Sequence, residues 1–309
     1  VLLGGMLSWN IAIPIYSAFF LDGNAELAAR VAGASAEDAA YAIWSAQIRY
    51  LGVGAMLVGG VWALISIRES LLSGIRSGLA AARAGAAGAV VSHTERDLPM
   101  NAIMIGTLLF TLPLFALYQN IVGSIAVSLP MTIIMIVAGF LFVSVSAYMA
   151  GLVGSSNNPV SGITICTILF ASLVLMLLMG RNAALGPVAA IMIGAVVCCA
   201  ACIGGDNLQD LKCGYIVGAT PWKQQVMLAI GAASSALVMA PVLNLLAKAY
   251  GIGVPTAEHP DPLLAPQATL MASVAKGMFG GELPWGMIAI GACIGAGVVA
   301  FDLWLKGRN

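Results

Sequence analysis

Two aspartates four residues apart are the residues of this sequence best placed to carry a proton. Asp206 and Asp210 lie in the stretch Gly204–Lys212, directly after a long apolar run. Residues four apart share one face of a helix, and a carboxylate beside an apolar segment is by default a functional candidate. We expect both to bind a proton or another cation, with Gln209 shaping their surroundings and Lys212 as a charge partner. The glycine pair predicts a break in the apolar helix here; a helix cap followed by a cytoplasmic turn is the alternative.

A second group of polar residues is neutral and joins two strongly apolar segments. The stretch Ser155–Gly162 reads SSNNPVSG and contains no charge. Because proline lacks a backbone donor and glycine permits unusual backbone angles, it predicts a non-helical elbow. Irregular backbone at membrane depth is tolerated only inside protein or beside a water-filled cavity, so the elbow could line a substrate path. A tight polar turn at the membrane surface is the alternative. The candidates are Asn157, Asn158, Pro159, Ser161 and Gly162.

A third candidate break lies near the end of the chain. Residues 267–279 are apolar in a helical pattern but are too short to cross a bilayer. Short apolar segments interrupted by Gly and Pro point to the binding sites of transporters. We therefore predict a re-entrant or broken helix, with Glu282 as an acidic candidate on the outer side. An interfacial helix is the alternative. The interrupting residues are Gly277, Gly280, Gly281 and Pro284.

Five further polar residues lie within or at the edge of apolar segments and are weaker candidates. Each could equally link helices by hydrogen bonding. They are Asn10, Arg49, Gln119, Tyr148 and Asn244. The six cysteines lie in or beside apolar runs and are interpreted as small buried hydrophobic residues, so we expect no metal site and no cofactor.

The sequence lacks the motifs of known intramembrane enzymes. It contains no GxGD, GxSG or HExxH motif and no nucleotide-binding Walker A motif. We therefore expect no catalytic residues and a protein that is not an enzyme.

The composition determines the surroundings in which these residues must lie. Of 309 residues, 61% are hydrophobic and 8% are charged, the formal net charge is zero, and the mean hydropathy is +0.99. A soluble fold must keep its exterior largely polar, so a soluble enzyme is excluded. A nucleic-acid binder would need a basic excess that is missing. The sequence predicts an all-α, polytopic integral membrane protein in a lipid bilayer.

Eight apolar segments of about 20 residues predict eight membrane-spanning helices. They lie near residues 2–20, 47–67, 101–120, 129–152, 162–180, 185–203, 224–247 and 285–305. Lys and Arg are more frequent in the connections on one side, which we assign to the cytoplasm. Residues 68–98 are then a cytoplasmic connection, as a helix on the membrane surface or a solvated linker helix, and residues 248–266 an external loop. We expect one transmembrane domain over 1–309, part of a longer chain in the cell (inner) membrane.

Five stretches spread over the chain resemble the oligopeptide transporter (OPT) superfamily. They are AQIRYLGVGAMLVGGVWAL at 46–64, TERDLPM at 94–100, SSNNPVSGITI at 155–165, GGDNLQDLKCGYIVGATPWKQ at 204–224 and APQATLMASVAKGMFGGELPW at 265–285. Because they occur in one order, together they are more specific than any single motif. The stretches NNPVSG and QDLK are more similar to the prokaryotic and yellow-stripe-like branch. The NPG motif of the peptide branch is not matched, since Val160 follows Asn158-Pro159.

The resemblance implies an integral-membrane symporter that imports small oligopeptides or metal-chelate complexes together with protons. Family members are longer than this chain, which resembles their C-terminal portion. The predicted fold is a helical bundle with about eight spans and broken or re-entrant helices that line the substrate path. A channel-like or non-transporting membrane subunit stays open as an alternative, as does an intramembrane enzyme. Formation of a homo-oligomer is also left open.

Overall fold

The computed structural model describes residues 2–84, 92–181, 183–280 and 283–307. The described chain is built of helices and turns, with one isolated β-bridge between Ile252 and Leu263. Two π-helical turns occur, at Met6–Ala12 within the first helix and at Trp44–Ile48 between the third and fourth. The helices are α1 (Leu2–Phe19), α2 (Ala25–Val31), α3 (Ala36–Ile43), α4 (Arg49–Ala84), α5 (Met100–Val122), α6 (Ile125–Val153), α7 (Val160–Met179), α8 (Gly186–Val217), α9 (Pro221–Tyr250), α10 (Pro266–Gly280) and α11 (Trp285–Lys306).

Eight helical segments of the described chain are long and apolar enough to cross a membrane, which confirms the predicted number and the all-α class. The predicted end of the second span is wrong. The helix expected to end near residue 67 continues to Ala84, so the first part of the connection 68–98 prolongs a span and does not form a separate surface helix. The reason is local, since this stretch is rich in Ala, Leu and Arg, which favour helix. Residues 85–91 of the connection lie outside the described residues.

The described chain divides into two compact units. The first comprises residues 1–62 and 283–309. Its core is a cluster of buried side chains from α1, α2, α3 and the π-helical turn before α4: Ile13, Tyr16, Leu27, Ile43 and Ile48. Burial of such apolar side chains is the main force that holds short helices together.

Glycine allows α4 and α11 to pack with their backbones in contact. A β-carbon at Gly54 would overlap the carbonyl oxygen of Ile288, and one at Gly291 would overlap the carbonyl of Leu51. At Gly295 it would lie 3.0 Å from the α-carbon of Ala55. Transmembrane helices use small residues for such close approach because packing replaces the hydrophobic driving force in lipid.

The second unit, residues 63–282, is centred on α6, α7 and α8. Helices α6 and α8 run parallel, because the residue numbers of their contacting pairs increase in the same direction along both helices. A β-carbon at Gly204 would lie 2.8 Å from Val143, and one at Gly151 would lie 2.9 Å from Leu208. Helix α7 runs antiparallel beside them and is the most buried, with every residue from Ile163 to Ile168 inside.

The short helix α10 is packed against α7 and α8, with Leu270, Val274 and Phe279 buried. The ring of Phe279 occupies the space that a β-carbon at Gly186 would need. The predicted short apolar helix is therefore present and packed against two spans, and its re-entrant position in the membrane stays a prediction. The expected interruption at Gly277 is wrong, because the helix continues through this buried glycine to Gly280. The break itself falls later, and Gly281 and Glu282 lie outside the described residues.

The α4–α11 contact predicts opposite effects for two glycines of α11. Gly291→Ala places a methyl group against the backbone of Leu51 and should lower the free energy of unfolding by about 1–3 kcal/mol. The control Gly297→Ala should leave the melting temperature unchanged or raise it, because a β-carbon there meets no described atom within 4 Å and alanine favours helix. Thermal unfolding of the purified protein in detergent measures both, and an equal effect of the two changes would contradict the packing.

Candidate functional site

The chain leaves helical structure between α6 and α7, as the sequence predicted. Helix α6 ends at Val153, Ser155–Asn157 form a single 3₁₀ turn, and α7 begins at Val160. We call residues 154–159 the elbow. The glycine that turns the backbone is Gly154, whose φ of 86° lies in the left-handed region. The prediction that Gly162 makes this turn is wrong, since Gly162 and Ser161 belong to the first turn of α7.

Asn158 fastens the elbow to α8 through its side-chain amide. Its Nδ2 donates to the carbonyl oxygen of Ala201 at 3.3 Å. The hydroxyl of Ser146, on α6, lies 2.8 Å from Asn158 Oδ1 and 2.6 Å from the same carbonyl, so its hydrogen can go to either acceptor. A β-carbon at Gly205 would overlap the amide of Asn158. Gly205 therefore provides the space in which this side chain lies.

Gln209 supplies a second attachment for the elbow. Its Oε1 accepts a hydrogen bond from the backbone N–H of Ser155. Ala201, Gly205 and Gln209 are spaced by four residues and so form one face of α8. Along this face, Ala201 offers its carbonyl oxygen to the elbow, Gly205 leaves space for the side chain of Asn158, and Gln209 offers its side-chain amide. Asn157 takes no part, because its exposed side chain donates back to the carbonyl of Val153 at 3.2 Å.

The predicted helix break at Gly204–Lys212 does not exist. Helix α8 runs without interruption through this stretch to Val217. The glycine pair serves close packing instead, Gly204 against Val143 and Gly205 against Asn158. A glycine that permits a neighbour to approach need not end a helix when tertiary packing compensates for its low propensity.

Asp206 and Asp210 do share a face of α8, but it is not the face that holds the elbow. Both carboxylates are exposed, as is Lys212. No ion pair joins Lys212 to either aspartate, so the prediction of a charge partner is wrong for this conformation of the described chain.

Asp210 lies at a cavity between α8 and α9. The cavity has a volume of about 530 Å³ and is also lined by Gln224, Leu228 and Ser235. Nε2 of Gln224 donates to the backbone carbonyl of Asp210 at 3.0 Å, while its Oε1 is buried without a partner among the described residues. Asp210 gives the cavity an exposed carboxylate, which favours a ligand that donates hydrogen bonds or carries positive charge.

The start of α9 is bound to the segment that precedes α5. Gln225 accepts from the backbone N–H of Leu98 at 3.1 Å and donates to Asp97 at 3.2 Å. The N–H of Trp222 donates to the carbonyl of Arg96 at 3.1 Å. Beyond this attachment, no residue of α9 is buried within the described chain.

The remaining candidates lie apart from the elbow. Asn10 and Asn244 are exposed. Gln119 has a buried Oε1 without a partner in the described residues. Tyr148 lines an apolar cavity of about 810 Å³ in the second unit, formed by α4, α5, α6 and α8. Glu282 lies outside the described residues. Arg49 is half-buried in the first unit.

Sequence reasoning missed Ser146 and Gln224 and gave Gly205 the wrong role. Ser146 is fully buried on α6, and the sequence does not set it apart from the other hydroxyl-bearing residues of this helix. The Gln224-Gln225 pair at the start of α9 is a stronger signal, because two amides in an apolar helix need partners. No described group of three or more His, Cys, Asp or Glu side chains could hold a metal ion.

Eight apolar helices, a polar elbow between two of them and a short packed helix define a polytopic helical membrane protein. The family model described as OPT oligopeptide transporter protein matches residues 1–309, and the chain belongs to this family. It is therefore grouped with transporters and not with enzymes.

A curated relative supports the assignment. The chain is 33% identical over 328 residues to a protein of Haemophilus influenzae named "Putative oligopeptide transporter". The match covers 99% of this chain and 50% of the relative, so the chain spans half the length of the curated relative that it matches. No solved structure matches the chain.

The two neighbouring asparagines of the elbow should differ in their contribution to stability. Asn158→Ala leaves the Ala201 carbonyl and Ser146 with fewer partners and should lower the free energy of unfolding by about 1–3 kcal/mol. Asn157→Ala removes one exposed hydrogen bond and should change it by about 0.5 kcal/mol or less. The melting temperatures of the two variants are measured in detergent. Equal melting temperatures would argue against the attachment of the elbow through Asn158.

Proposed function

We propose that the protein imports small oligopeptides across the cell (inner) membrane in symport with protons, by alternating access. The family and the name of the Haemophilus influenzae relative support transport of peptides. The single observation that carries the mechanism is the elbow, a break between two apolar helices that is held to a third by neutral hydrogen bonds. The elbow joins two antiparallel spans, and irregular polar backbone of this kind is tolerated beside a water-filled cavity such as the mouth of a substrate path.

The length of α7 suggests where the elbow lies in the bilayer. Its 20 residues span about 30 Å, which equals the thickness of the hydrocarbon core. The elbow at its start would then lie at one edge of the apolar layer, at the mouth of a substrate path. Its amides and hydroxyls could bind the peptide groups of a substrate without selecting its side chains.

Asp210 is the proposed proton carrier, with Asp206 one turn before it as the second candidate. In this conformation the carboxylate of Asp210 faces an open cavity. Closing the cavity between α8 and α9 would bury it, and burial of an unpaired charge is costly. A protonated Asp210 avoids that cost and gains a hydrogen to donate, for which Gln224 Oε1 is an acceptor without a described partner. Closure would thus require a proton.

Metal-chelate complexes are the second proposed cargo. The favouring observation is the similarity of NNPVSG and QDLK to the yellow-stripe-like branch, since the elbow does not read NPG. Such a complex would be bound through its organic part. A competition assay, in which an iron chelate is added to peptide uptake, separates the two cargoes.

Proteoliposomes that contain the purified protein test the coupling. We expect radiolabelled trialanine to accumulate inside up to about tenfold when the outside is made one pH unit more acidic than the inside, because such a gradient supplies about 1.4 kcal/mol per proton. Indifference of both peptide and chelate uptake to the gradient would refute symport. Saturable uptake would at the same time exclude a channel-like subunit.

Single substitutions identify the carrier. Asp210→Asn should abolish the dependence on the pH gradient, because the amide cannot exchange a proton, and Asp206→Asn should weaken it if this residue shares the proton. The control Asp22→Asn changes an exposed aspartate in a short 3₁₀ turn and should leave uptake unchanged. Full pH dependence in both α8 variants would remove them as carriers.

A further inference from the structure

Arg49 occupies an unusual position in the first unit. It follows the π-helical turn Trp44–Ile48 and opens α4, within the segment Ala36–Ser77 that is apolar enough to cross a membrane. Its guanidinium carbon lies 5.9 Å from the ring centre of Trp44 and 5.8 Å from that of Tyr50. Cation–π attraction of this kind holds a guanidinium in place without using its hydrogen-bond donors.

Two donors of Arg49 are buried and unused. Nε and Nη2 have no hydrogen-bond partner among the described residues, and no described carboxylate lies within 4.0 Å of the group. An arginine stays protonated in proteins, so it cannot escape the cost of burial by losing its charge. Ionisable side chains in membrane segments almost always pair with an opposite charge or with backbone carbonyls, so the two buried donors of this half-buried side chain call for a partner.

The positions of the two unpaired nitrogens on the guanidinium indicate how many acceptor atoms an anionic partner has. Nε and Nη2 form one edge of the guanidinium, and their N–H bonds point in the same direction. Two parallel donors match the two oxygens of a carboxylate, which arginine binds in a bidentate manner. A single acceptor atom can bridge both donors, but a carboxylate gives each donor its own oxygen, which makes two straight, charge-assisted hydrogen bonds.

The aromatic rings around Arg49 belong to two π-helical turns and to the start of α4. Trp44 stacks on Trp9 with ring centres 6.0 Å apart, and Trp9 lies in the other π-helical turn, Met6–Ala12. The two π-helical turns therefore meet at the aromatic rings that hold the guanidinium. Turns of this type are rare and occur frequently at functional sites. A return to α-helical geometry in either turn would move Trp44 or Trp9 relative to Arg49.

We infer that Arg49 binds the C-terminal carboxylate of the transported peptide through Nε and Nη2. The inference rests on the proposed function, because it assigns a chemical group of the peptide to this residue. In the present conformation the edge is shielded from water, and the peptide reaches it when the aromatic rings move. The site selects peptides with a free C-terminus and does not discriminate between their side chains.

Uptake of trialanine and of trialanine amide by the reconstituted protein tests this assignment. The wild type should show a KM about 10- to 100-fold lower for the free acid, as expected for a charge-assisted bidentate pair. Arg49→Gln should raise the KM of the acid to that of the amide and leave the amide within about twofold. Arg49→Lys keeps the charge but not the planar edge, so it should retain a preference of roughly threefold.

The control variant is Arg30→Gln, which removes an exposed arginine of α2 in the same unit and should keep the full preference for the acid. Equal KM values for acid and amide in the wild type, or a preserved preference in Arg49→Gln, would overturn the assignment alone. So would an equal loss of acid and amide uptake together with a lower melting temperature, which would mark Arg49 as an internal ion-pair partner. Absence of tripeptide uptake by the wild type would overturn the proposed function and this assignment with it.

Discussion

The elbow depends on one constraint, which is that backbone and side-chain polar groups removed from water must find partners within the protein. Where α6 ends and α7 begins, the helical hydrogen bonds stop. One face of α8 supplies the replacements through the carbonyl of Ala201, the space above Gly205 and the amide of Gln209. A helix break would otherwise expose orphan donors at a cost of roughly 1–3 kcal/mol each. The parallel packing of α6 on α8 positions this face, and the elbow in turn sets the start of α7.

The first unit meets a related constraint by other means. There the polar group in an apolar segment is a guanidinium, and aromatic rings, not hydrogen bonds, surround it. Glycines again permit close contact. Gly54 and Gly291 allow the backbones of α4 and α11 to touch, and Gly205 leaves space for the side chain of Asn158. In both units, the absence of a side chain at a few positions determines where the polar chemistry lies.

Much of this fold could be predicted from the sequence, because apolar segments of about 20 residues have few alternatives in a bilayer. The eight spans, the short helix α10 and the elbow follow from length, hydropathy and the residues SSNNP. The error at Gly204–Lys212 has a physical cause, since glycine signals both a helix break and a close helix contact. The contacts of Asn158 could not be predicted, because Ala201 lies 43 residues away along the chain. The unpaired edge of Arg49 likewise depends on packing that no local pattern encodes.

The elbow also has an electrical consequence. Residues 154–159 carry no formal charge, and neither do their partners Ser146, Ala201 and Gln209. A membrane potential does about 2.3 kcal/mol of work on each elementary charge per 100 mV, but it does almost none on neutral amides and hydroxyls. A rearrangement of the elbow would therefore be insensitive to voltage. Any current that accompanied it would report the charges that are carried past the elbow and not the elbow itself.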